Sequence, residues 1–418
     1  MIPRASLEQL TAALGHEAVE QHEPLEIDGA RPELTLRPPD GEVLGRALRA
    51  LGACGLAALV EGGGNRLGFG NLSSRGEVRL SSRRLRGVEE FDPDEGVCHV
   101  RAGTPLAELR AAVRAGGWEL PLDAPGSGAT VGGVLAAAAV GPRAQGFGLP
   151  RDLVLGLEVV LASGERTHCG GRVVKNVTGY DLNKVYTGSF GTLGVIEGAW
   201  LRLRPLPEST AVLEAEPSSL DGLCELGLAA ARRASARAVA IAASARTPTE
   251  RELRLVVELA GDARSVEGDA AWLAQQGGAR PAEVGALDRV RALQGARPGA
   301  SRLRFRISAL ASRLEPALAQ LCAVSANVLV YPGLGLLYAD VSLEGERDPE
   351  EVGAAFRRIA RTARAAGGGF ACEAAPAWAK QGRDVFGEPP AALELMAALK
   401  RRFDPTGLLN PGRFAGQI

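Results

Sequence analysis

Glycine constrains this chain more than any other residue. There are 54 among 418 residues, nearly twice the usual share of ~7%. No three-residue period runs through them, which excludes a collagen-like fibre. Seventeen of them fall in three segments: EGGGNRLGFGN (Glu61 to Asn71), PLDAPGSGATVGGVLAAAAVGPR (Pro121 to Arg143) and GGRVVKNVTGYDLNKVYTGSFGTLGVIEG (Gly170 to Gly198). A run of residues without Cβ lets several backbone N–H groups converge on one anion. It also lets one backbone lie flat against another. The chain must therefore fold around close main-chain approaches, with or without a ligand between them.

The first segment follows a strand expected over Leu56 to Val60. It holds no G-x-G-x-x-G dinucleotide fingerprint, and the G-K-[ST] of a P-loop occurs nowhere in the chain. Phosphate binding and a plain surface turn both fit it. In the second segment, Pro125, Gly126, Ser127 and Gly128 lead into a helix expected from about Thr130. The first amides of that helix, with the hydroxyls of Ser127 and Thr130, suit an anion. Gly132, Gly133 and the alanines after them leave a slim face for a flat ligand or for tight packing on a sheet. In the third segment, Tyr180 and Lys184 fit Y-x-x-x-K, the catalytic pair of short-chain dehydrogenases. That reading fails, because the pair needs a glycine-rich nucleotide turn after the first strand of a Rossmann unit, and the turn is absent.

Composition removes other classes. Lys+Arg 48 against Asp+Glu 49 leaves no basic excess for nucleic acid, and 4% aromatics make a poor base-stacking platform. No apolar run approaches the ~18 residues of a membrane span, and the first residues have no apolar signal-peptide core. A cytosolic protein is expected. Cys54, Cys98, Cys169, Cys224, Cys322 and Cys372 lie far apart with no C-x-x-C. They read as buried free thiols, with no metal site expected.

Ser6 and Gln9 make a capping-box pattern for a first helix. A strand is expected near Leu34 to Arg37. Pro38, Pro39 and Asp40 then open a helix with Val43, Leu44, Ala47, Leu48 and Leu51 on one face. Hairpins are expected at Val88 to Arg101 and at Leu153 to Cys169. Between them a helix starts at Thr104 and Pro105 and ends at Gly116 and Gly117. A strand runs from Leu193 to Leu203. Arg204-Pro205-Leu206-Pro207 punctuates the chain. Beyond it the pattern reads β-α-β-β-α, then β-α-β-β-α-β. The strands fall at 210–216, 237–243, 252–259, 302–307, 326–331, 335–341 and 369–373, the helices at 218–233, 262–277, 309–322 and 349–366. Two such units form one antiparallel sheet with helices on one face. The expected class is α+β, divided at 1–207, 208–382 and 383–418. A last helix near 389–402 precedes FDPTGLLNPGRF.

Taken in order, the three segments resemble the two-subdomain FAD-binding domain of the vanillyl-alcohol oxidase and p-cresol methylhydroxylase (PCMH) type. A narrower likeness lies in GGVLAAAAVGPR, RDLVLGLEVV, GGRVVKNVTGYDL, GSFGTLGVI and DPTGLLNPGRF. These are similar to the E-type FAD-binding subunit of bacterial glycolate oxidase. The resemblance covers about residues 34–207 and 383–414. It implies that Gly62, Gly63, Gly64, Asn65 and Arg66 cradle the FAD pyrophosphate. Pro125, Gly126, Ser127, Thr130, Gly132 and Gly133 would hold its other side, and Gly141 and Arg143 would continue along the cofactor. Gly191, Gly194, Val195 and Ile196 would contact the adenine and ribitol parts, with Asn410 reaching the flavin from the C-terminus. Glu61 departs from the pattern, standing where relatives often carry arginine. No histidine or cysteine matches the family's covalent flavin links, so a non-covalent FAD is expected.

Oxidising a 2-hydroxy acid needs a hydride acceptor, a group to take the hydroxyl proton and a cation for the carboxylate. The D-lactate and D-2-hydroxyglutarate dehydrogenases of this fold share a histidine-rich metal site in their C-terminal half. Here the four histidines are His16, His22, His99 and His168, with none beyond. Three readings follow. As the resemblance implies, the chain holds FAD inside a complex with a catalytic flavoprotein subunit and an iron–sulfur subunit. Any membrane association then comes through those partners. In the second reading it oxidises glycolate or D-lactate alone, with Tyr180, Lys175 or Glu373 as base and Arg383 or Arg143 on the carboxylate. In the third it is a nucleotide-binding scaffold without redox turnover.

Overall fold

The computed structural model describes residues 2–173, 180–247, 250–295, 301–344 and 347–418. The chain divides into two units. The first gathers Met1–Ala139, Leu149–Leu206 and Gly382–Ile418, and the second gathers Val140–Gly148 and Pro207–Gln381. Residues 140–148 thus leave the first domain to which the sequence pattern assigned them.

The first unit opens with α1 (Arg4–Leu14), which starts directly after Pro3 with no side-chain cap. Ser6 and Gln9 lie inside it, so the capping-box expectation is corrected. The fixed φ of Pro3 already orients the first turn. A four-stranded sheet follows: β1 (Val19–Gln21), β2 (Leu34–Leu36), β3 (Ala58–Glu61) and β4 (Val78–Ser81), in the order β1-β2-β4-β3. β2, β4 and β3 run parallel, which requires a crossover, and α2 (Gly41–Cys54) lies between β2 and β3. Asp40 caps α2 by accepting from the Val43 amide at 2.8 Å. Its apolar stripe, Val43, Leu44, Ala47, Leu48 and Leu51, is buried in one cluster with Leu34, Leu36, Val78 and Leu80.

A second, antiparallel sheet completes this unit. Its strands are β5 (Val88–Asp92), β6 (Val97–Arg101), β8 (Val154–Val160), β9 (Arg166–Gly170) and β10 (Val195–Arg202), in the order β5-β6-β10-β8-β9. The intervening β7 (Trp118–Glu119) pairs with β11 (Arg204–Pro205). α3 (Leu106–Ala115) and α4 (Val131–Ala136) pack Leu109, Val113, Val131 and Leu135 into the core of this sheet. Thr104 does not cap α3, because its hydroxyl is engaged with Gly87.

The second unit is built on one eight-stranded antiparallel sheet. Its strands are β12 (Ser209–Ala215), β13 (Ala236–Ala245), β14 (Arg251–Gly261), β15 (Arg280–Pro281), β16 (Arg302–Ser308), β17 (Asn327–Tyr331), β18 (Leu336–Ser342) and β19 (Phe370–Ala374). They run β15-β12-β14-β13-β17-β18-β16-β19. Each repeated unit supplies one half of the sheet, and β13 meets β17 at the seam. At that central position Ala238, Val239, Ala240 and Ile241 are all buried, a continuous run rather than an alternation. The helix Ala286–Gly295 occupies a stretch the sequence pattern left blank. It is held partly by polar bonds: Gln294 bonds the hydroxyls of Tyr331 and Tyr338.

Candidate functional site

Two glycine segments face each other at the end of β3. Gly63 donates its amide to Thr130 Oγ1 at 3.2 Å, and the same oxygen accepts from Gly133 N at 3.3 Å while capping α4. Asn65 Nδ2 donates to the Ser127 carbonyl at 3.1 Å. A Cβ on Gly63 would collide with the Gly128 carbonyl, and one on Gly62 with the Thr130 hydroxyl. Gly126 turns with φ +94, and a Cβ there would stand 2.7 Å from Asn65 Nδ2. The two loops therefore close on each other only because they lack side chains. On the solvent side, Arg83 donates to the Gly62 carbonyl at 3.1 Å and the Gly63 carbonyl at 2.8 Å. That fixes the peptide planes of the loop.

Between the loops lies a cleft, partly open to solvent. It is lined by Gly62, Gly63, Gly64, Asn65 and Arg66 on one side and by Pro125, Thr130, Gly132 and Gly133 on the other. Gly191, Gly194, Val195, Ile196 and Asn410 complete the lining expected from the sequence. Its walls offer main-chain dipoles rather than bulk. α4 is only six residues long and stops at Ala136. Its own field is small, so the loop amides matter more than the helix end. The Glu61 carboxylate is buried against Arg79 at 2.6 Å, which offsets its charge beside an anion site.

The C-terminal segment supplies the far wall. Asn410, at φ 44, accepts from Val60 N at 2.9 Å through Oδ1 and donates Nδ2 to the Phe190 carbonyl at 2.7 Å. It ties β3 to the turn before β10. Lining residues that the sequence reading missed include Leu67, Phe69, Phe190 and Arg413. Arg413 is buried and donates to the Leu67 and Phe69 carbonyls and to Asp28. Phe190 takes a left-handed φ of 57, unusual for an aromatic residue. It packs with Phe69, Phe386 and Phe414 at centroid distances of 4.9 to 5.4 Å. Arg413 and Phe190 lay within motifs already singled out, DPTGLLNPGRF and GSFGTLGVI. Only their side-chain directions were hidden.

Other expected residues go elsewhere. Gly126 and Ser127 brace the Asn65 loop without lining the cleft. Gly141 and Arg143 belong to the second unit, where Arg143 holds Glu258 with two bonds of 2.7 and 2.6 Å. Its guanidinium is committed to that carboxylate rather than to a cofactor or substrate. Tyr180 is 95% exposed. Glu373 is buried on β19 in the second unit, with Arg306 Nε at 3.4 Å, and does not line the cleft. Arg383 is half-buried in the first unit and does not line the cleft. Lys175 lies outside the described residues.

Two family models match the chain: a FAD binding domain over residues 32–170 and the C-terminal domain of FAD linked oxidases over 380–414. The glycolate oxidase subunit GlcE of Escherichia coli is 38% identical over 149 residues, 35% of this chain and 43% of that protein. A D-lactate dehydrogenase of Archaeoglobus fulgidus is 34% identical over 180 residues, 43% of this chain and 40% of that one. The matched stretches thus span less than half the length of either relative. Among solved structures, p-cresol methylhydroxylase with substrate bound superposes with a TM-score of 0.76 at 18% identity, covering 98% of this chain and 96% of that one. The fold is the PCMH type, and FAD is the cofactor.

Proposed function

We propose that this chain, which carries the FAD-binding domain and the C-terminal segment of FAD-linked oxidases, is an FAD-dependent oxidoreductase of the 2-hydroxy-acid type. In our reading it serves as the flavin-holding subunit of a glycolate oxidase-like complex. The carrying observation is the cleft itself: paired glycine loops suited to a diphosphate, with no candidate base from the sequence on its wall among the described residues. FAD, when bound, supplies a two-electron acceptor. The chain's own residues would bind and orient it, with the Phe69 and Phe190 rings on the cleft wall. Three facts favour a partner for the substrate chemistry: the commitment of Arg143 to Glu258, the exposure of Tyr180, and the absence of any histidine after His168. The partners of this reading are a catalytic flavoprotein subunit and an iron–sulfur subunit. The similarity to a D-lactate dehydrogenase sustains a second reading, in which the chain turns over a small hydroxy acid alone.

The test is anaerobic flavin spectroscopy on the purified chain. A yellow protein whose released flavin is FAD, unbleached by glycolate or D-lactate until the partner subunits are added, is the expected result. Bleaching by the chain alone would establish the autonomous reading instead. A colourless protein that takes up no FAD would leave only the scaffold.

A further inference from the structure

A second polar cluster sits on the antiparallel sheet of the first unit, away from the cleft residues. It draws on three strands. His99 of β6 pairs with Trp200 of β10, and the two rings stack at 4.8 Å and 14°. Between Val88 and Glu90 the register of β5 on β6 shifts, so Glu89 is an inserted bulge residue. Bulges re-aim side chains, and here the Glu89 carboxylate comes to 2.9 Å from His99 Nδ1. Glu158 of β8 is paired with Gly198 of β10. A Cβ on Gly198 would come 2.8 Å from Glu158 Oε2 and 3.2 Å from His99 Nε2. Its absence lets Glu158 lean across β10 until Oε1 is 3.3 Å from His99 Nε2.

Two features set this cluster apart from a surface ion pair. His99 is 8% exposed, and its buried Nε2 satisfies no hydrogen bond, despite facing Glu158. One ligand atom from each of Glu89, His99 and Glu158 can also be chosen so that all three lie within 4.8 Å of one another. An imidazole with one carboxylate beside each ring nitrogen, and with Nε2 left open, is a donor set for a borderline divalent cation. The glutamates are 39% and 33% exposed in their side chains, so solvent can complete the coordination. Arg101 holds the other oxygen of Glu89 at 2.8 Å, an outer contact that orients the ligand.

We propose that Glu89, His99 and Glu158 form a zinc-type divalent-cation site that clamps β5, β6 and β8 across β10. The sequence pattern did not suggest it, because the three residues are 10 and 59 positions apart and only the bulge and Gly198 bring them together.

The experiment uses the full chain, FAD-loaded and freed of metal by dialysis against chelator. Titration with Zn²⁺ by calorimetry should give one equivalent per chain. Co²⁺ should quench the Trp200 fluorescence and give weak visible bands typical of nitrogen and oxygen ligands. Glu158→Gln should weaken Zn²⁺ binding by at least ~10-fold and His99→Gln should abolish it, with FAD content unchanged. Trp200→Phe should keep the stoichiometry and lose the quenching. Glu89→Gln, at a more exposed position, supplies the same reading where His99→Gln fails to fold. Unchanged affinity in Glu158→Gln and Glu89→Gln, no saturable Zn²⁺ binding at up to ~0.1 mM, or a near-ultraviolet thiolate band with Co²⁺ would each overturn the proposal.

Discussion

A methyl group at residue 63 is the smallest change with the largest expected consequence. Gly63→Ala drives a Cβ into the Gly128 carbonyl, an atom held by backbone rather than by a flexible side chain. The loops must then part, and the Gly63 bond to Thr130 that joins them is lost. FAD affinity should fall by at least ~10-fold, about 1.4 kcal/mol, with the fold retained. Gly68→Ala is the control, since nothing lies within 4 Å of the space its new methyl would fill and its φ is not left-handed. Equal FAD affinity in the two variants, measured by flavin fluorescence, would remove the two-loop grip from the account. The thiols make a second residue-scale test. Burial pushes Cys98 and Cys224 up to about 12 and Cys169 up to about 11. Because only the thiolate reacts, these three stay protonated through neutral pH. They should resist iodoacetamide at pH 8 in the native protein and react after unfolding. Rapid native labelling at Cys98, read by mass spectrometry, would contradict its burial.

At the scale of elements, the helix Leu393–Phe403 and the turn after it hold the far wall of the cleft. Buried Lys400 donates to Asp404 at 2.6 Å and to the Thr192 and Leu409 carbonyls at 2.9 and 2.8 Å. Asp404 in turn accepts from the Leu408 and Leu409 amides, each at 2.8 Å. Burial pulls Lys400 below the usual lysine value, and Asp404 opposes that shift. Asp404→Ala leaves a buried ammonium without its counter-ion and two amides without an acceptor, and should cost about 3–5 kcal/mol in denaturant unfolding. Asp40→Ala removes one cap bond from α2 and should cost only about 1 kcal/mol. A smaller loss for Asp404→Ala than for Asp40→Ala would mean that the Lys400 cluster is not held as the structure shows it. Elements with strong periodicity, such as α2 and the longer strands of the second unit, were legible in the sequence, whereas the two-residue β15 was not. β1 and β4 were not, since three or four residues are too few to show a period. The first turn of α1 was misread because Ser6 and Gln9 have cap-like spacing while Pro3 sets the start. α4 was read as running on through its alanines, yet Ala138 turns to φ 44.

For the whole molecule, the first unit is discontinuous, and its last piece comes from the end of the chain. Backbone chemistry alone left the first glycine loop open between a phosphate cradle and a plain turn, and the pyrophosphate role of the loops came with the resemblance. That the C-terminus returns to them was legible only through the resemblance of DPTGLLNPGRF, since no local pattern encodes a contact across 350 positions. The transfer of 140–148 to the second unit was hidden for the same reason, as Arg143 meets Glu258 across 115 positions. The returning segment is bridged to β3 at Ala58. The Ala58 amide donates to the Leu408 carbonyl at 2.7 Å, the Asn410 amide donates to Ala58 O at 2.9 Å, and Leu409 sits in the α2 core cluster. A chain ending at Gln381 should therefore bind no FAD and should expose the apolar surface under Leu408 and Leu409 to a hydrophobic dye. Asn410→Ala should keep the fold and weaken FAD binding, because it frees Val60 N and the Phe190 carbonyl while leaving Leu408 and Leu409 in place. Adding a peptide of residues 382–418 to the shortened chain should restore part of the flavin uptake. The same FAD affinity with and without that segment would show that the cleft closes on the glycine loops alone, and that the far wall described above is not needed for binding.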